Sequence, residues 1–93
     1  MLRIGLEFSD AERILVGHGA KETALAVAPP QSASGGDMEV VCFSLPDDRA
    51  VCLAHDVVGG KDEVVDMELL TDMEKPKSQR KTEKVREIDL RSR

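Results

Sequence analysis

The sequence predicts a mainly β fold: a small meander or barrel-like sheet of about five or six short strands, with a charged, partly disordered C-terminal tail. Three observations carry that expectation. Short apolar runs recur over residues 1–70, and several alternate apolar with polar side chains. Compact turn signals, Pro46-Asp47-Asp48 and Gly59-Gly60, separate the later runs. Beyond Thr71 the apolar runs stop and charge takes over. The rival architecture is α+β, with one short helix near residues 10–16.

The first element is LRIGLEF. Leu2, Ile4, Leu6 and Phe8 fall on one face and Arg3, Gly5 and Glu7 on the other, as in a half-buried strand. Residues 9–28 admit two readings. Ser9 with Glu12 matches a capping box, Ala11, Ile14 and Leu15 would share a helix face, and Gly17 would close the helix. Alternatively Ser9-Asp10-Ala11 is a turn, RILV a strand, GHGAK a second turn and ETALAVA another strand. The β-branched Ile14 and Val16 and the closely spaced glycines favour strands.

PPQSASGGD, residues 29–37, is a loop, because it has nothing to bury. MEVVCFSL and AVCLAHDVV then pair around Pro46-Asp47-Asp48. EVVDMELL follows the glycine pair as a third strand, with Val65, Met67 and Leu69 on one face. Domain organisation follows: a β domain over 1–70 and a charged tail over 71–93. The end of the tail, TEKVREIDLRSR, has helical spacing but only three apolar residues, too few for a stable isolated helix.

Size limits what such a domain can bury. The chain has 93 residues, two Phe and no Trp or Tyr, so its core rests on Val, Leu and Ala. Thin cores of this kind commonly gain support from subunit association. Scarce aromatics count against the single-strand RNA modules that stack bases. The opening MLRIGLEF has no apolar run of the leader type, and no stretch approaches a membrane span. With two cysteines, these features give the expectation of a cytoplasmic protein with free, reduced thiols.

Cys42 and Cys52 carry a test of register. With a three-residue turn, Leu45 faces Arg49, Phe43 faces Val51 and Val41 faces Leu53, while Cys42 meets Cys52 on the opposite face. A turn of two or four residues slips the pair apart. Buried thiols acting as small hydrophobes are the expectation, with a disulfide set aside on grounds of compartment. No metal site is expected: on a strand Cys52 and His55 point to opposite faces, and the ligand spacing of a zinc site is missing.

Other candidates are weaker. GHGAKET lacks the glycine and spacing of a phosphate loop and reads as a glycine-rich turn. Asp47, Asp48, Asp62, Glu63, Asp66 and Glu68 read as turn residues and a solvated face. Charge is the strongest signal. Residues 1–70 hold five basic and thirteen acidic residues, a net of −8; residues 71–93 hold eight and five, a net of +3. The candidate partner- or phosphate-binding residues are Lys75, Lys77, Arg80, Lys81, Lys84 and Arg86. No catalytic set, cofactor or small-molecule substrate is expected. The functional expectation is a non-enzymatic protein-interaction module, an adaptor, chaperone-like factor or inhibitor that forms a homo-oligomer or binds another protein. The alternative is a nucleic-acid-associated factor that uses segment 75–86.

Overall fold

A computed structural model describes residues 2–24 and 38–90. The elements run β1 (Leu2–Arg3), α1 (Phe8–Gly17), β2 (Lys21–Thr23), β3 (Glu39–Ser44), β4 (Arg49–Val58), β5 (Lys61–Thr71), a 3₁₀ turn (Lys77–Gln79), β6 (Lys81–Lys84) and β7 (Glu87–Ile88). The fold is mainly β, as the sequence predicts. Five strands form an open antiparallel sheet in the order β2-β3-β4-β5-β6, and β1 pairs with β7 in a two-stranded ribbon. The expected loop at 29–37 and the end of the expected strand at 22–28 lie outside the described residues.

The central hairpin takes the three-residue turn. Leu45 N–H donates to Arg49 C=O at 2.9 Å, and the ladder runs Phe43 to Val51, Cys42 to Cys52 and Val41 to Leu53. Period-2 alternation then sorts the side chains onto two faces. One face carries Phe43, Val51, Leu53, Val64 and Met67, all at most 1% exposed. Ala11 and Leu15 of α1 cover it, with Leu2, Ile88 and Leu90. The other face holds a smaller cluster of Cys42, Ala50, Cys52 and Leu70, flanked by Val40 and Met73.

Several expectations need correction. Residues 10–16 are helical, so the favoured strand reading fails there. The gain from burying Ala11 and Leu15 completely, with Phe8 and Ile14 packed beside them, outweighs the modest helix penalty of Ile14 and Val16. The capping box that went with the helix alternative is absent, because Glu7 is the N-cap and Ser9 already lies inside the helix. The glycines terminate the helix: Gly17 is its last residue, and Gly19 follows at φ +84°. Gly19 N–H bonds Val16 C=O and Ala20 N–H bonds Leu15 C=O, each at 3.0 Å, which is a Schellman stop.

The first strand is much shorter than the alternation suggests. Gly5 turns at φ +98°, so Leu2 is fully buried while Ile4 is 37% exposed. In β5 a bulge intervenes: His55 pairs with Val64 and Ala54 with Asp66, leaving Val65 as the extra residue. Val64, not Val65, therefore joins Met67 and Leu69 on the core face.

The largest departure concerns residues 71–90. The boundary near Thr71 does not separate a body from a tail. β6 pairs with β5 from Lys81 opposite Thr71 to Lys84 opposite Glu68, and Ile88 and Leu90 are buried in the main core. Sheet pairing supplies what the local sequence lacks, because a four-residue polar strand needs only a neighbour with open backbone groups.

Candidate functional site

The six basic candidates do not form one patch. Lys75, Lys77 and Arg80 lie in the connection between β5 and β6. There Lys75 Nζ sits 3.8 Å from an Asp72 carboxylate oxygen, and Arg80 Nε donates to Lys75 C=O at 3.2 Å. Lys81 and Lys84 lie on β6, and Arg86 follows it; all three are exposed. The register puts Lys84 on the same face as Cys52 and Lys81 on the other. Lys84 Nζ contacts Asp66 Oδ2 at 2.7 Å. A hydrogen bond from the ammonium to that carboxylate, with their charge attraction, holds Lys84 above the usual lysine range. Among the described residues, Lys77, Lys81 and Arg86 have no ion-pair partner.

β6 is an outer strand of the sheet, and its backbone phase can be assigned. Val85 N–H donates to Met67 C=O at 3.1 Å, so that opposed pair is a bonded one. Bonded and non-bonded pairs alternate in an antiparallel ladder. Glu83 with Leu69 and Lys81 with Thr71 are therefore bonded, while Thr82 and Lys84 direct N–H and C=O away from β5. β2 is the opposite outer strand, pairing Lys21 to Ser44, Glu22 to Phe43 and Thr23 to Cys42.

A second feature lies at the far end of the β4–β5 hairpin. β3 reaches only as far as the pair Glu39–His55, so the hairpin projects beyond it, and its tip leaves Val57 64% and Val58 48% exposed. At the base of this arm His55 is 8% exposed and its ring stacks on Phe8, with centroids 3.8 Å apart and planes 15° from parallel. His55 Nδ1 lies 2.8 Å from Asp62 Oδ1. Its Nε2 is buried with no hydrogen-bond partner among the described residues, 3.7 Å from Glu39 Oε2. Sequence reading gave Asp62 only a solvated role and His55 none. The signal was present: seven residues apart across Gly59-Gly60, the two fall on one face of a hairpin.

The cysteines are joined in a disulfide, with Cα atoms 4.0 Å apart. This overturns the expectation of free thiols and removes the thiol argument for a reducing compartment. Cys52 and His55 point to opposite faces of β4, as the strand reading requires. The sulfurs face each other across the ladder, and the imidazole is taken up by Phe8 and Asp62.

The acidic residues are mostly engaged in structure. Asp47 Oδ2 accepts from Arg49 Nε at 2.8 Å, and Asp48 Oδ1 accepts from Glu74 N–H at 2.9 Å. An open cavity of about 260 Å³ lies beside this turn, lined by His18, Leu45, Pro46, Asp47, Arg49 and Leu90. The guanidinium lining it is already bound by Asp47, which leaves it little charge to offer an anion. GHGAKET forms a helix stop followed by β2, in keeping with the turn reading. No helix among the described residues is long and apolar enough to cross a membrane. Comparison with family models, with curated proteins and with solved structures finds no match.

Proposed function

We propose that the chain is a non-enzymatic protein-interaction module, an adaptor, chaperone-like factor or inhibitor that works as an oligomer or by pairing strands with another protein. The observation that carries this reading is the open sheet, whose outer strands β2 and β6 keep one backbone edge each without a partner strand among the described residues. Such edges are templates for strand addition. The exposed Val57 and Val58 on a projecting hairpin add apolar surface that a partner would cover. A core without Trp or Tyr gives association a stabilising role as well.

Cytoplasmic residence belongs to the same proposal. The Cys42–Cys52 pair bears on it, since disulfides persist mainly in oxidising compartments. Alkylating the native protein directly after lysis, then comparing its intact mass with a reduced sample, reads which state the cell maintains.

Sedimentation velocity over a wide range of concentration tests the interaction reading. Reversible self-association, or a stable complex with a defined protein, is the expected result. A folded monomer at every concentration, with both outer strands already protected from hydrogen exchange, overturns it. The alternative is nucleic-acid association, favoured by Lys77, Lys81 and Arg86, which have no ion-pair partner among the described residues. It calls for binding that weakens steeply between two salt concentrations. No affinity at low salt removes it.

A further inference from the structure

We infer that β6 is the docking edge and that its partner is an acidic, extended protein segment, which adds as a sixth strand. This rests on the interaction reading above and specifies the edge and the chemistry. Three observations converge on it. Among the described residues β6 ends the sheet, and all four of its residues are exposed. The Val85–Met67 hydrogen bond sets the phase that turns the N–H and C=O groups of Thr82 and Lys84 outward. Cations stand on both faces of that short strand, Lys81 on one and the Asp66-paired Lys84 on the other, with Lys77 before it and Arg86 after it in sequence.

A neutral strand docking here would strip water from cations without pairing them, which is costly. Lysines on outer strands hold off such strands for that reason. A strand bearing carboxylates at alternate positions reverses the sign, because cross-strand opposite charges attract. The same residues thus reject one class of partner and select another. Glu83 is the single acid on β6, on the face of Lys81, and it tilts selection toward acids on the Lys84 side. Asp66 already engages Lys84 there, so an incoming carboxylate joins a shared network. A peptide is favoured over a phosphate chain because it offers both donors and acceptors to the outward C=O and N–H groups. The net charge of −8 over residues 1–70 also opposes a long polyanion.

The test uses the full-length chain, labelled with nitrogen-15, and a short blocked peptide of alternating Glu and Thr. Expected are shifts at the Thr82 and Lys84 amides and slower hydrogen exchange there, with no response to the matching Lys-Thr peptide. Thr82→Pro removes an outward N–H while sparing the β5 ladder, and should weaken binding about tenfold, the equivalent of one hydrogen bond. Thr82→Val keeps the N–H and should bind as the parent does. Lys81→Glu, at an exposed position, should weaken binding without altering the urea midpoint; it serves if the proline variant does not fold.

Three outcomes overturn the inference. The first is no binding of the Glu-Thr peptide, and the second is binding unaffected by both Thr82→Pro and Lys81→Glu. The third is oligothymidylate displacing the peptide from the same amides at lower concentration, which assigns the edge to phosphate. If the chain self-associates yet ignores the peptide, the edge assignment falls and the broader interaction reading stands. A monomer that binds the peptide at β6 leaves the edge assignment standing and removes self-association alone.

Discussion

A methyl group placed on Gly19 would sit 3.0 Å from Pro46 Cγ, and the residue's φ of +84° is one that side chains rarely adopt. Gly19→Ala is therefore expected to destabilise the fold by about 1–2 kcal/mol from the backbone alone, read as a lower urea midpoint with an unchanged slope. His55 makes the opposite kind of case, since its ring matters more than its polar atoms. The ring is buried against Phe8, whereas the Asp62 contact is one hydrogen bond at a half-exposed carboxylate. His55→Ala should cost about 3 kcal/mol by cavity formation, and Asp62→Ala nearer 1 kcal/mol. Equal losses in the two variants would show that the polar contact dominates. Lys84 carries a pH signature. Its folded ammonium is held above the ordinary lysine range by Asp66, so the contact contributes fully at neutral pH and fades as pH rises through that raised value. Lys84→Met and the parent should thus differ slightly near neutrality and converge in strongly alkaline solution, as urea midpoints across pH will register.

Elements set the disulfide in context. Cys42 and Cys52 are directly opposed in the β3–β4 ladder and close a loop with a sequence separation of 10. Chain-entropy reasoning for a loop of that size gives about 3 kcal/mol of stabilisation, which reductant should remove. The measurement is the urea midpoint with and without reductant, with Cys42→Ala/Cys52→Ala as the reference. β6 makes a companion prediction. Glu83→Pro removes a ladder hydrogen bond to Leu69 and should destabilise the sheet by at least about 1 kcal/mol, where Thr82→Pro leaves the ladder intact. Legibility also differs by element. The two strands of the central hairpin are legible in the sequence but their register is not, because Pro46-Asp47-Asp48 is compatible with turns of two, three or four residues and the turn length fixes every pairing. The helix at 8–17 was not legible, because its stabilisation comes from a sheet face that local sequence does not display. The bulge at Val65 was hidden for a related reason: two adjacent valines satisfy either phase of the alternation. β6 carried no apolar signal at all, since an outer strand four residues long takes its structure from β5. Of the candidate site, the charges were legible and their division between two faces and a connecting loop was not.

At the scale of the whole molecule, the first and last described strands meet. Leu2 pairs opposite Ile88, Ile4 N–H bonds Arg86 C=O at 3.0 Å, and Gly5 N–H bonds Val64 C=O at 2.9 Å. The opening residues thus join β7 to the middle of β5. Residues after Thr71 cannot then act as a removable tail, although their composition suggests one. Cutting the chain after Thr71 would take away β6, β7 and the buried side chains of Ile88 and Leu90, and would uncover Leu2. At about 1.5–3 kcal/mol for each buried aliphatic side chain, the loss is roughly 5–9 kcal/mol. That is comparable to the entire stability of a small domain. The truncated chain is expected to be unfolded at room temperature, with sharp amide dispersion lost from the nitrogen-15 spectrum. Replacing Lys77, Lys81 and Arg86 with glutamine in the full chain removes the same positive charges and should leave that dispersion intact. If instead the truncated chain keeps the spectrum of β3, β4 and β5, the ribbon of β1 and β7 is an accessory to the fold. Stability would then reside in the hairpin and its disulfide.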